Sequence, residues 1–305
     1  MPDQTSVDII AKQNWLEPLE NGLQRAVQKT FEMGGEPGRK IEDALHGVWL
    51  GDPLHAALTD IPIGCWTAAV VMDTVESITG NDKVAAGADT VIAIGLAGAV
   101  ASAITGLTDW QHVGGAPRRV GLVHGLLNLS GAALYATSLV LRRRQARGIA
   151  KLMSGAGYGV MLLAAKLGGK LVYRHHIGTD HAPQDRGPEE FIQVLSESEL
   201  AENMPRRAEI NGIPIVLVKS GGRAFALAEK CSHLGGPLSE GSCKDGVIQC
   251  PWHGSQFSIA DGQVIHGPSV HPQVCFDTRI RDGQVEVRRH VESPHKGHER
   301  SQEAA

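Results

Sequence analysis

Two uninterrupted apolar runs constrain this chain more than any other feature. Thr90 to Leu107 is 18 residues without a formal charge, and Val120 to Leu141 is 22. Crossing the hydrocarbon core of a bilayer takes about 20 apolar residues of helix, so both runs qualify. Two weaker stretches flank them: Ala56 to Ile78 contains Asp60, Asp73 and Glu76, and Lys151 to Val172 is broken by Lys166 and Lys170. Together the four predict a transmembrane four-helix bundle over residues 53–175. A soluble helical bundle is the rival reading, in line with a slightly negative mean hydropathy, but soluble bundles keep a polar stripe along each helix. Gly95, Gly98, Ala101 and Ser102 in the second segment, and Gly155, Gly157 and Gly159 in the fourth, suit close helix packing in lipid.

With four crossings, one side of the membrane collects His55, Asp60, Asp109, His112, Arg118, Arg119, His124 and Asn128. Ionisable groups at membrane depth are costly and normally face the bundle interior and one another. The cluster reads either as a structural polar network near the interface or as a haem, quinone or proton site, with His55 and His124 as the pair for a bis-imidazole haem. Ahead of the bundle, residues 1–52 form an amphipathic helical segment. Leu16, Leu19, Leu23, Val27 and Phe31 recur at helical spacing, with Glu17, Glu20, Gln24, Arg25 and Gln28 between them. The expected arrangement buries that apolar stripe on the rest of the protein; a helix lying in the membrane interface is the alternative. Residues 1–14 carry Asp3, Asp8 and Lys12 and read as no secretory signal.

The remainder is an ordinary soluble sequence. The chain's 29 basic and 33 acidic residues leave a net charge of -4, which argues against a nucleic-acid partner. A linker is expected at 176–188, a β-domain at 189–290 and a charged tail at 291–305, where His295 and His298, with His290 just before it, read as a solvated end. Ile213–Val218 and Arg223–Ala228 flank Lys219–Gly222 as a hairpin, and short strands follow between Asp-Gly turns at 245, 261 and 282. Two loops of this all-β domain carry chemistry. Cys231-Ser-His233-Leu-Gly-Gly-Pro and Cys250-Pro-Trp-His253-Gly-Ser each offer one thiolate and one imidazole, with sixteen residues between His233 and Cys250. Two Cys and two His could hold a tetrahedral zinc. The pairing of one Cys with one His per glycine- and proline-rich loop suits an iron-sulfur cluster better.

This pattern, with the following Gly-Ser-x-Phe, resembles the Rieske domain. The resemblance implies a two-iron two-sulfur cluster with Cys231 and Cys250 on one iron and His233 and His253 on the other. Leu234, Gly235, Pro251, Trp252, Gly254, Ser255 and Phe257 would surround it. Rieske subunits of cytochrome bc complexes carry a further cysteine in each loop and a tyrosine hydrogen-bonded to the cluster; here those positions are Gly236, Trp252 and Phe257. The resemblance is therefore to the ferredoxin type, with a potential expected in the lower part of the range of roughly -150 to +300 mV. Cys243 and Cys275 read as plain thiols. In the helical half, residues 53–64, 105–110 and 118–128 resemble an uncharacterised bacterial membrane family, domain of unknown function 2231.

These readings imply a membrane-anchored one-electron carrier acting with an unknown redox partner protein. It is more an electron-transfer component than a stand-alone enzyme, since too little chain follows His253 for an oxygenase domain. A subunit of a quinone- or haem-reactive complex is the alternative. The expected location is the inner membrane of a bacterium, multi-pass, with the cluster domain in the cytoplasm. Basic residues near the helix ends number six on each side and do not set the orientation.

Overall fold

The computed structural model describes residues 4–183 and 187–290; the tail at 291–305, with His295 and His298, and positions 184–186 of the linker lie outside them. The chain forms two compact units, residues 1–179 and 180–305.

The first unit is helical. Three helices, α1 (Gln4–Ala11), α2 (Glu17–Met33) and α3 (Gly35–His46), precede four long ones: α4 (Leu54–Thr79), α5 (Asp82–Trp110), α6 (Gly115–Arg143) and α7 (Arg147–Tyr173). The long helices have 26, 29, 29 and 27 residues. At 1.5 Å per residue each spans about 40 Å, more than the roughly 30 Å hydrocarbon layer. Their outward faces are apolar: Ile78 is 80% exposed, Leu152 69% and Leu129 67%. Such faces suit lipid and would drive a water-soluble bundle to aggregate.

The interior is closed by small residues meeting aromatic ones. Trp66 of α4 stacks on Tyr135 of α6, with centroids 4.2 Å apart. Gly95 lies against Trp66, Gly98 against Ile61 and Pro62, and Gly157 against Tyr135, so a larger residue at any of these positions would push the helices apart. Gly155 and Gly159, expected in the same role, are exposed with open space beside them.

The expected packing of the helix holds only in part. Leu16, just before α2, is buried and Leu23 packs with it against Trp110, Val113 and Leu122. Within α2, however, the covered side chains are polar: Glu20 is fully covered and Gln24 nearly so, while Leu19 is half exposed and Val27 and Phe31 only half-buried. The cause is the unsatisfied polar end of the bundle. Glu20 pairs with Arg118 (3.0 Å) and Arg119 (3.1 Å). The Gln24 side-chain amide donates to the carbonyls of Trp110 (3.0 Å) and Val113 (2.9 Å), and that of Gln28 to Gln111 (3.2 Å). Carbonyls at a helix end and buried guanidinium groups need partners more than leucines need cover.

The second unit is all-β. A six-stranded antiparallel sheet runs in the order β1 (Ile192–Ser196), β10 (Gln284–Arg289), β9 (Cys275–Arg281), β4 (Arg223–Ala228), β3 (Ile213–Ser220), β2 (Arg206–Ile210). A four-stranded sheet contains β5 (Ser242–Lys244), β6 (Val247–Gln249), β7 (Gln256–Ser258) and β8 (Val264–His266). Four hairpins close through two-residue turns, Asn211-Gly212, Gly221-Gly222, Asp245-Gly246 and Asp282-Gly283, with both residues at positive φ. That backbone twist matches the strands it joins, and Asn, Asp and Gly tolerate it. Strand β3 is covered on both faces: Ile213, Ile215 and Leu217 enter one core, Val216 and Val218 the other. Burial on both faces explains its unbroken apolar run. The second core also contains Leu227, Leu238, Ile248, Phe257 and Ile259, together with Cys231 and Cys250.

Candidate iron-sulfur site

The two loops flagged in the sequence are built on one backbone plan. The amide of Cys231 donates to the Gly236 carbonyl (2.8 Å) and that of Gly235 to the Cys231 carbonyl (2.8 Å); Cys250 donates to Ser255 (2.8 Å) and Gly254 to Cys250 (3.2 Å). Gly235 and Gly254, each four residues after its cysteine, have φ of 77° and 80°, a conformation in which a side chain is strained. The loops leave adjacent edges of the second core, so Cys231 and Cys250 are both buried and share a hydrogen bond. The rings of His233 and His253 lie edge to face, 5.1 Å between centroids.

The sulfurs are surrounded by donors. The backbone N–H of His233 and the Ser255 hydroxyl donate to the sulfur of Cys231, and the N–H groups of Trp252 and His253 donate to that of Cys250. The hydrogen bond that the Cys231 thiol donates to Cys250, together with burial, pushes Cys231 far up, while the same bond holds Cys250 below the usual thiol range. Donors aimed at sulfur stabilise thiolates, the form in which cysteine binds metal. The donor set therefore fits a cluster with mixed thiolate and imidazole ligands.

Gly236 leaves room for this packing. A Cβ there would lie 2.9 Å from the Cys250 sulfur and 3.0 Å from the Trp252 ring. Trp252, 56% exposed, stands beside His253 with the exposed Pro251 and the half-buried Leu234. Phe257 is fully buried and offers no hydroxyl. Cys243 and Cys275 lie outside the pattern; burial raises both thiols, Cys275 to about 12. None of the five cysteines is in a disulfide.

A third segment, which the sequence reading missed, locks the two loops together. The Gln273 side chain accepts from the Ser232 amide (3.1 Å) and donates to the Ala228 carbonyl (3.0 Å). The Ser232 and Ser269 hydroxyls are 2.8 Å apart, and the Ser269 amide donates to the Ser255 hydroxyl oxygen (3.0 Å). Gly267, Pro268 and Pro272 mark a loop in the sequence, but nothing local says which site it closes over.

The predicted polar cluster of the helical unit separates into groups. The His55 ring packs on Gly106 with Nδ1 bonded to the Ser102 carbonyl (2.8 Å); the His124 ring packs on Gly168 with Nδ1 bonded to Ala164 (2.8 Å). Asn128 reaches Nε2 of His124 at 3.1 Å. Asp60 is exposed. Asp109 and His112 instead join two residues the sequence reading passed over, Glu42 and His46 of α3. Burial disfavours charge on His46, but the carboxylates of Asp109 and Glu42 outweigh it and hold the imidazole up at about 9. Burial likewise works against a charged Glu42, and the neighbouring imidazoles of His112 and His46 hold it down at about 2. Burial lowers His112.

Comparison with known proteins gives this geometry a class. The model of the Rieske [2Fe-2S] domain matches residues 190–281, and that of "Predicted membrane protein (DUF2231)" matches residues 51–181. The anthranilate 1,2-dioxygenase ferredoxin subunit of Burkholderia cepacia is 36% identical over 89 residues, 29% of this chain and 82% of that protein. The biphenyl 2,3-dioxygenase ferredoxin component of Rhodococcus jostii (strain RHA1) is 30% identical over 97 residues, 32% of this chain and 91% of that protein. Apoptosis-inducing factor 3 is 29% identical over 38% of this chain in Mus musculus and 32% over 33% in Homo sapiens, but the match spans only 20% and 17% of those proteins. The chain belongs to the Rieske [2Fe-2S] family through its β unit, which is homologous to the ferredoxin components of dioxygenases, and its cofactor is a two-iron two-sulfur cluster. Its helical unit matches the DUF2231 model and holds four helices long and apolar enough to cross a membrane.

Proposed function

We propose that this protein is a membrane-anchored ferredoxin whose cluster is held by Cys231, Cys250, His233 and His253. The observation that carries the assignment is the repeated loop frame, which brings two buried sulfurs and two imidazoles together and aims backbone N–H groups at the sulfurs. When bound, such a cluster supplies a reversible one-electron couple. The chain's residues do the rest. The core around Phe257 and Ile248 excludes water from the sulfur side, the Gln273–Ser232–Ser269–Ser255 chain fixes the spacing of the loops, and the half-buried imidazoles provide the exit. Beside them, Trp252 and Pro251 offer an apolar rim for a redox partner, which we propose is an oxygenase or another electron-transfer protein. Cys65, Cys243 and Cys275, the cysteines outside the ligand set, form no disulfide, which suits a reducing compartment, so we assign the β unit to the cytoplasmic side of a bacterial inner membrane.

Low-temperature electron paramagnetic resonance of the dithionite-reduced, detergent-solubilised chain tests the reading. The expected result is a rhombic signal with the low average g value of mixed thiolate and imidazole ligation; zinc-loaded protein without such a signal would overturn it. The optical spectrum of the same sample tests a second reading, a haem in the bundle. Its one favouring observation is that His55 and His124 are each anchored through Nδ1 on a carbonyl and laid over a glycine.

The Ser255 hydroxyl sets part of the potential. Its bond to the Cys231 sulfur strengthens when an added electron makes the cluster more negative, so Ser255→Ala should lower the midpoint. A hydrogen bond of about 1 kcal/mol, at 59 mV per factor of ten for one electron, corresponds to roughly 40 mV. A redox titration followed by the paramagnetic signal measures it, and an unchanged midpoint would remove Ser255 from the account.

A further inference from the structure

The helical unit contains a second set of metal-ligating side chains, independent of the iron-sulfur reading. Glu42 and His46 sit four residues apart on one face of the last turns of α3. His112 comes from the turn after α5, and Asp109 from the last turn of α5. Oε1 of Glu42 lies 3.5 Å from Nε2 of His112 and 3.9 Å from Nε2 of His46. The three ligand atoms all fall within 4.8 Å of one another.

His46 is the informative member. It is 1% exposed, and its Nδ1 is bonded to Asp109 at 2.7 Å. That bond fixes the ring so that Nε2 points towards Glu42 and His112, where it is buried without a hydrogen-bond partner. An unsatisfied buried polar atom is costly, and native structures rarely keep one without a reason. A carboxylate on one imidazole nitrogen with the other aimed at a gap between ligands is the arrangement that orients a metal-binding histidine. Glu42 is oriented in the same way: the Gln111 side chain donates to its Oε1 at 2.8 Å, and Gln28 of α2 holds the Gln111 backbone.

We infer that Glu42, His46 and His112 form a binding site for a first-row divalent cation of the zinc or iron(II) class. Two imidazoles and a carboxylate are borderline ligands that suit these ions; magnesium and calcium take oxygen, and copper(I) prefers thiolate or thioether. Bonds of about 2.0–2.1 Å place tetrahedral ligand atoms about 3.3 Å apart, so the observed separations close with small side-chain rotations. Three protein ligands leave a coordination position open for water or another small ligand. The site joins the amphipathic N-terminal helices to the end of α5, so a bound ion would also clamp that segment to the bundle.

The test is calorimetric titration of zinc chloride into the full-length, cluster-loaded, chelator-washed protein in detergent. The expected result is one saturable equivalent, weakened at least tenfold in Glu42→Gln and in His112→Ala. Asp109→Asn, which loosens the hold on His46, should weaken it by ten- to a hundredfold. Glu42 and His112 are the deciding positions because they are less buried than His46, whose loss alone could unfold the end of the bundle. The visible absorption of the cluster must stay constant throughout, which separates this site from zinc displacing iron in the β unit. No saturable zinc, or one equivalent left unchanged by both Glu42→Gln and His112→Ala, would overturn the proposal and leave a proton-satisfied ion-pair network in its place.

Discussion

Replacing His233 by alanine should abolish the low-g paramagnetic signal and strip the protein of cluster iron, not merely shift its potential. The imidazole sits on a loop whose backbone bonds, Cys231 to Gly236 and Gly235 to Cys231, serve to place it. His233 would be one of two imidazole ligands, both half-buried, and without it the cluster would be held too weakly to persist. His253→Ala should do the same, because the two rings approach to 5.1 Å and flank one space. Cys250→Ser removes a thiolate to which two backbone N–H groups point, and should be at least as severe. Cys275→Ser and Cys243→Ser are the controls: both thiols are held protonated by burial, and their variants should keep the full signal. Since cluster binding is also folding energy for these loops, the ligand variants should lower the unfolding temperature of the β unit while leaving the helical unit intact. Iron and acid-labile sulfide analysis beside the spectrum decides the matter. A His233→Ala protein that kept its iron and its signal would sink the ligand assignment.

The paired loops were legible in the sequence because their conformation is local: each has its cysteine, histidine and glycine within five residues, and the turn follows from them. The hairpins at Asp245-Gly246 and Asp282-Gly283 were readable for the same reason, since two residues at positive φ determine the turn. Asn211-Gly212 gave as strong a signal and was passed over, and with it strand β2, whose polar Arg206-Arg207 start hides the alternation. The third loop segment was not legible, because Gln273 acts through carbonyls of residues 228 and 230 that only the folded sheet brings to it. Nor was the burial of Glu20 and Gln24 on α2. Periodicity identifies an apolar face but not what the neighbour offers, and here the neighbour offered arginines and open carbonyls. Glu42 and His46 were missed because, on a charged helix, an i, i+4 pair reads as a solvated face until Asp109 and His112 arrive beside it.

Arg142→Leu should destabilise the helical unit by about 3–5 kcal/mol, the usual cost of leaving a buried charge without its partner. The Arg142 side chain is fully covered near the end of α6 and pairs with Asp73 of α4 and Asp89 of α5. It also donates to the hydroxyls of Ser138 (3.2 Å) and Ser154 (3.1 Å), so a single guanidinium ties together all four long helices. Leucine fills the volume but leaves Asp73, itself buried, facing an apolar wall. Arg142→Lys should recover little, because a point charge cannot reproduce a fork that serves two carboxylates and two hydroxyls. The double variant Arg142→Leu, Asp73→Asn removes the orphaned charge and should regain more than half of the loss, a coupling expected only of groups in direct contact. Denaturant titration in detergent, followed by helical circular dichroism, measures all three. A single variant within about 0.5 kcal/mol of the parent would show that the network is solvated and idle. The same network explains how the first segment can carry Asp73 and Glu76. Glu76 pairs with Arg147 and Lys151 as Asp73 does with Arg142, so two of the three acids that weaken the first apolar run as a sequence signal are, in the fold, the partners of bases at the end of the third helix and the start of the fourth.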